Sequence, residues 1–102
     1  MKILLRKVEG ANVALVKQDE LSIPEILPTR YDLFQYRGGF SWGYKGSGVK
    51  NLGYAIAARM LEDEADISVT AMNLVENILS NLDGEREHTL SHATLKDAIL
   101  QA

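Results

Sequence analysis

Residues 40–52 read FSWGYKGSGVKNL, a glycine-rich stretch that joins an aromatic-rich segment to a helical pattern. Upstream of it, residues 31–36 are aromatic-rich and favour a strand, whereas Leu52, Ile56 and Met60 recur at the four-residue spacing of a helix. The three glycines and the serine in the middle allow the chain to change direction sharply. The stretch therefore predicts a turn from a strand into a helix over about 49–63.

Toward the N-terminus, the pattern predicts a sheet. Apolar residues alternate over 2–8 and again over 13–17, and the Gly-containing turn between them predicts a hairpin. Residues 22–30 contain both prolines and predict an extended connection. The aromatic runs 31–36 and 40–44 flank two glycines and predict a second hairpin.

Toward the C-terminus, the pattern is helical. Ser68 is the predicted N-cap of a second helix that ends before residues 83–84, and Ser91 is the predicted cap of a short last helix after a polar connection over 85–89. The chain is thus a single α+β domain over 1–102, in which an N-terminal antiparallel sheet of three to four strands is packed by two to three C-terminal helices. The predicted core consists of Trp42, Leu52, Ile56, Leu74, Val75, Ile78 and Leu79.

Composition narrows the class of protein. The net charge of −3 is unevenly divided: residues 30–60 carry five basic side chains against one acidic, and residues 61–90 carry eight carboxylates against one arginine. The absence of cysteine excludes disulfides, thiolate metal sites and a cysteine nucleophile. No apolar run is long enough to span a bilayer, and charges interrupt the first seven residues too early for a signal peptide. A cytoplasmic protein that does not enter the membrane is expected.

The glycine-rich loop is a candidate ligand site. The first turn of a helix leaves backbone N–H groups unpaired and carries a partial positive charge, so it attracts anions such as a nucleotide phosphate. The alternative is a structural turn in which the glycines let the chain bend and Ser47 caps the helix. Neither phosphate-binding fingerprint is present, since Asn51 stands where the dinucleotide pattern needs its third glycine. The residues of this candidate site are Lys45, Gly46, Ser47, Gly48 and Lys50.

The sequence contains little that indicates a catalytic site or a metal site. His88 and His92 are four residues apart, which on one continuous helix would place two imidazoles on one face, but a helix start near Ser91 separates them. No serine lies in a nucleophile-elbow motif. We therefore expect a protein that is not an enzyme, with no catalytic residue, no metal and no cofactor.

Two kinds of macromolecular partner fit the charge pattern. Aromatic and basic residues interleave over 34–50, as in surfaces that stack bases and contact phosphates, which makes nucleic acid the alternative partner. The acidic stretch that follows favours a protein partner with a basic surface. Its candidate contact residues are Glu62, Asp63, Glu64 and Asp66. The sequence is also compatible with a homodimer, because small domains often bury additional apolar surface by associating.

The stretch from Pro28 to Leu61 also resembles a known family. The family consists of small uncharacterised proteins of bacteria, their phages and other mobile elements, and its hallmark reads FEWGYGGSGP followed by LAxAIL. This chain departs from that pattern at Lys45, Val49 and Gly53. The matching residues are Phe40, Trp42, Gly43, Tyr44, Gly46, Ser47, Gly48, Leu52, Ala55 and Ile56.

The resemblance implies a biological setting and no particular reaction. Together with the acidic stretch, it leads us to expect a small non-enzymatic interaction protein of phage or mobile-element type. Such a protein would bind and modulate a host macromolecule, for example a component of host defence. The alternatives are an anion or nucleotide-binding domain that uses the glycine-rich loop, and a nucleic-acid-binding module that uses residues 34–50.

Overall fold

The computed structural model describes residues 1–61 and 64–101 and confirms the α+β class. Strands β1 (Lys2–Val8) and β2 (Ala11–Lys17) form the predicted hairpin, with Leu5 opposite Ala14. In β1 the alternate residues Ile3 and Leu5 are fully buried, because every second side chain of a strand faces the same side of the sheet. The hairpin therefore supplies the apolar face on which the helices pack.

Two further strands complete the sheet. Strand β3 (Glu25–Ile26) pairs with β2, and β4 (His88–Ser91) pairs with β1, so the order across the sheet is β3-β2-β1-β4 with all neighbours antiparallel. The fourth strand thus comes from a segment predicted in part to be a polar connection. Leu90 explains the difference, because it lies opposite Ile3 and is buried in the core.

The second predicted hairpin is wrong. No strand forms over residues 31–44, all of which the structure describes. Phe34 stacks on Tyr54 with ring centroids 5.2 Å apart, and Trp42 enters the core, whereas Tyr31 and Tyr44 stay exposed. The strand propensity of the segment is overridden because Phe34 and Trp42 are held by packing against the rest of the fold and not by backbone pairing.

Three helices cover one face of the sheet. Helix α1 (Ser47–Met60) agrees with the predicted helix, whereas α2 (Glu64–Asn77) begins before Ser68, so the predicted cap at Ser68 is wrong. Ile67, only 3% exposed, extends the apolar stripe of α2 upstream of that serine. A 3₁₀ turn over Leu79–Asn81 follows α2. No helix in the described part of the chain is long and apolar enough to cross a membrane.

The core agrees with the predicted set apart from Ile78. The other six residues are at most 2% exposed, while Ile78 lies at the end of α2 and is only partly buried. The sheet contributes Ile3, Leu5 and Val16 to the same cluster. One apolar core between the sheet and the helices therefore holds the domain together.

The last helix, α3 (His92–Leu100), begins at the predicted cap. The Ser91 hydroxyl oxygen accepts a hydrogen bond from the Thr94 backbone N–H at 3.1 Å. Helix α1 differs, because Gly46 is its N-cap residue and no side chain caps it, so the predicted capping role of Ser47 is wrong.

These two serines make a matched pair for a stability measurement. Ser91→Ala removes an N-cap hydrogen bond and is expected to lower the free energy of unfolding by about 1 kcal/mol. Ser47→Ala, at an exposed first helical position, is expected to change it very little. Urea denaturation followed by circular dichroism measures both, and equal effects would contradict the assignment of the cap.

Candidate functional site

The glycine-rich loop is tied to the rest of the fold. The Lys45 ammonium lies 2.8 Å from the Glu76 carboxylate of α2, so its charge is already paired. The Ser41 backbone N–H donates to the Gly48 carbonyl at 3.1 Å, and Gly48 is buried against that serine. Ser47 and Lys50 are exposed. The loop thus has a structural role, and anion binding there stays a prediction.

The two histidines are not on one helix. His88 lies in β4, where its Nε2 atom is 2.8 Å from the Asp83 carbonyl oxygen and its ring meets Trp42 edge-on at 6.4 Å. His92 is the first residue of α3. Within residues 1–61 and 64–101, no three His, Asp or Glu side chains are grouped as the ligands of a metal ion would be.

The interleaved aromatic and basic residues do not form one open surface. Trp42 is only 2% exposed, and its indole N–H donates to the Arg86 carbonyl at 2.9 Å, so it cannot stack a base. Phe40 packs against the core. The aromatic and basic residues of this segment that remain exposed are Arg37, Tyr44, Lys45 and Lys50, and the Arg37 guanidinium lies 4.4 Å from the centre of the Tyr31 ring.

Two of the four predicted acidic contact residues, Glu64 and Asp66, lie in the first turn of α2. Glu62 and Asp63 fall outside the described residues, and Glu64 is the first residue of the helix. Asp66 is exposed on the first turn. Partner binding by this set stays a prediction.

An exposed apolar segment that no sequence pattern indicated lies at the edge of the sheet. The relative exposures of Leu21, Ile23 and Ile26 are 97%, 85% and 74%. A turn at Asp19 presents the first of these, because the Asp19 carboxylate accepts from the Leu21 N–H at 2.9 Å. Large apolar side chains grouped in this way mark binding sites more often than scattered ones do. We call residues 21–26 the apolar edge.

An apolar groove continues this surface. It has a volume of about 400 Å³ and lies where β3 leaves the sheet, beside Ile26. Leu27, directly after Ile26, turns inward and is 2% exposed, with its N–H donating to the Ala14 carbonyl at 2.9 Å. The groove is lined by Asn12, Val13, Ala14, Ile26, Leu27, Pro28, Thr29 and Phe40.

Carboxylates lie both beside and within the apolar edge. Glu20 pairs with Lys2 at 2.7 Å, and that lysine lowers the pKa of the Glu20 carboxyl. The backbone N–H of Leu21 lowers the pKa of Asp19, so both groups are ionised at neutral pH. Asp19 and Glu25 form no ion pair with any residue in the described ranges. The edge therefore combines exposed apolar surface with exposed carboxylates.

Comparison with known proteins places the chain in a family. A family model described as a family of unknown function, DUF6166, matches residues 5–101. The chain belongs to DUF6166. Comparison of the chain with curated proteins and with solved structures found no match. The DUF6166 match runs from β1 into the end of α3 and so includes the apolar edge.

In this DUF6166 domain, prolines limit what the apolar edge can bind. The Leu27 N–H faces β2, so the alternation of an extended chain turns the backbone groups of residues 24, 26 and 28 away from β2. Pro24 and Pro28 have no N–H to offer there, which leaves Ile26 as the outward donor of this stretch. Proline on an edge strand opposes the addition of another strand. Recognition at this edge must therefore rely on side chains.

Proposed function

We propose that this DUF6166 protein is a small non-enzymatic interaction module of the cytoplasm that docks onto a protein partner through the apolar edge. The observation that carries the proposal is the exposure of Leu21, Ile23 and Ile26 within six residues. Full burial of such a side chain contributes about 1.5–3 kcal/mol. Three of them together offset a large part of the roughly 4–15 kcal/mol that association costs.

The contacts that Lys45 and His88 make within the fold support a role without catalysis. Lys45 is paired with Glu76, and the His88 ring is held by the Asp83 carbonyl and by Trp42. These groups maintain contacts between elements of the fold. The proposal therefore includes no cofactor, no metal and no catalytic residue.

The proposed partner is a host macromolecule, for example a defence component, and the proposed setting is a phage or another mobile element. This part of the proposal rests on the resemblance of residues 28–61 to proteins of that kind. Docking through the acidic residues Glu62, Asp63, Glu64 and Asp66 is the alternative within the same function.

Affinity capture from a bacterial lysate tests the proposal. Tagged wild-type protein is compared with Ile23→Glu after nuclease treatment, and captured proteins are identified by mass spectrometry. We expect Ile23→Glu to reduce capture of the partner by about tenfold or more, since a charge placed in the centre of an apolar interface is poorly tolerated. Val69→Glu is the matched control, because Val69 is a 64% exposed apolar residue on α2 and outside the edge.

Two results would redirect the proposal. Reversing Glu62, Asp63 and Glu64 to lysine in the same assay would, if it alone abolished capture, move docking to the acidic set. Loss of every partner on nuclease treatment would make nucleic acid the ligand and would contradict a protein-interaction module. Circular dichroism of each variant establishes that the fold is retained.

A further inference from the structure

We infer that the partner element that occupies the apolar edge is a basic amphipathic helix of another protein. This inference rests on the proposed function, because it names the occupant of the same surface. Three features of the edge lead to it: its prolines, its length together with the adjoining groove, and its exposed carboxylates.

The backbone of the edge favours a helix over a strand. An added strand needs a row of N–H and C=O groups, and here Pro24 and Pro28 interrupt the row on both sides of Ile26. A helix satisfies its own backbone hydrogen bonds and requires only side-chain contacts from its partner. The edge offers such contacts, since Leu21, Ile23 and Ile26 project into solvent.

The dimensions of the surface suit a helix of moderate length. From residue 21 to residue 28 the chain spans at most about 25 Å, which is the length of a helix of roughly 16 residues. The groove of about 400 Å³ beside Ile26 and Pro28 offers room for apolar side chains from that helix. Apolar residues three and four positions apart on a helix form the continuous stripe that such a surface needs.

The carboxylates of the edge determine which side chains the polar face of the partner's helix should carry. Asp19 and Glu25 are exposed, and neither forms an ion pair within the described residues. Lysine or arginine beside the apolar stripe would complement them, whereas an acidic helix would be repelled. Binding is therefore expected to weaken as salt is added, because exposed ion pairs are screened.

The experiment uses the full-length protein and a synthetic probe. The probe is an 18-residue helix-forming peptide with leucine at helical spacing and lysine elsewhere, and its counterpart carries glutamate in place of lysine. We expect the Leu/Lys peptide to bind at least tenfold more tightly than the Leu/Glu peptide. In a ¹⁵N NMR titration its largest shifts should fall within residues 12–29.

Variants separate the apolar and the charged contributions. Ile23→Ser is expected to weaken binding of the Leu/Lys peptide about fivefold or more, while Val69→Ser leaves it unchanged. Asp19→Asn together with Glu25→Gln is expected to remove most of the preference for lysine over glutamate. A peptide of the same composition but without helical spacing controls for charge attraction alone and is expected to bind weakly.

Several outcomes overturn the inference. Equal affinity for the two peptides, equal binding of the peptide without helical spacing, shifts centred on residues 64–66, or no binding at millimolar peptide each contradict a basic helix at this edge. Self-association of the protein that Ile23→Ser abolishes would assign the edge to a second copy. If capture from the lysate depends on Ile23 but the peptide does not bind, the inference fails and the proposed function stands. If the peptide binds at the edge but Ile23→Glu leaves capture intact, the proposed function fails at this surface.

Discussion

Replacing Gly43 by alanine is expected to lower the free energy of unfolding by about 3 kcal/mol or more. Gly43 has φ of 92°, a backbone conformation that costs an alanine about 1–2 kcal/mol. The added Cβ would also lie 2.5 Å from the Gly84 nitrogen and 2.6 Å from the Gly84 Cα atom. Both are backbone atoms, so no side-chain rotation relieves the clash.

Gly39→Ala is the matched control for this prediction. Gly39 also has a positive φ, of 85°, but a Cβ there would meet nothing within 4 Å. We expect it to cost only the conformational share, about 1–2 kcal/mol. Thermal unfolding measures both, with a fall of roughly 4–8 °C for each kcal/mol in a domain of this size. Equal melting temperatures for the two variants would show that the approach of Gly43 to Gly84 contributes nothing to stability.

Trp42→Ala is expected to cost about 3–5 kcal/mol, which is the usual loss for a buried aromatic residue. The side chain is 2% exposed, and its indole N–H donates to the Arg86 carbonyl, which would lose its donor. The Lys7 ammonium lies 5.1 Å from the centre of the ring, so the substitution also removes a cation–π contact. One residue thus joins β1, the glycine-rich loop and the segment before β4.

Tyr44→Ala controls for the loss of an aromatic ring from the same loop. Tyr44 is 52% exposed, and we expect its truncation to cost less than about 1 kcal/mol. Urea unfolding followed by far-ultraviolet circular dichroism serves for both variants, because Trp42 is the protein's one tryptophan and its fluorescence is lost on substitution. A similar cost for the two variants would argue that burial of Trp42 is not what stabilises the loop.

Patterns in neighbouring residues correctly predicted the elements whose formation depends on residues close in sequence. The hairpin β1–β2 follows from alternation and a short turn, and α1 follows from an apolar stripe of helical period. Strand β4 has four residues and no such pattern, and its partner lies at the other end of the chain. The predicted start of α2 at Ser68 is too late, because a serine there has the chemistry of an N-cap although the apolar period continues upstream through Ile67.

The exposure of the apolar edge could not be predicted from the sequence, for a different reason. Ile26 and Leu27 are adjacent and chemically alike, yet their exposures are 74% and 2%. The pairing of β3 with β2 decides which of the two faces the core, and a two-residue strand leaves no periodicity from which to predict it. The candidate ligand residues of the glycine-rich loop were easier to locate, because glycines and a helix start are visible in the sequence.

The sheet order has a consequence for how the chain folds during synthesis. Strand β1 lies between β2 and β4, and the hydrogen bond from Arg6 to Thr89 joins residues 83 positions apart. Contacts of such separation are slow to close, because the loop between them must first be ordered. The hairpin is translated early but keeps one strand edge open until residues 88–91 have left the ribosome. Until its last strand is in place, this domain therefore exposes an unpaired edge of β1, which is a site for aggregation with other chains.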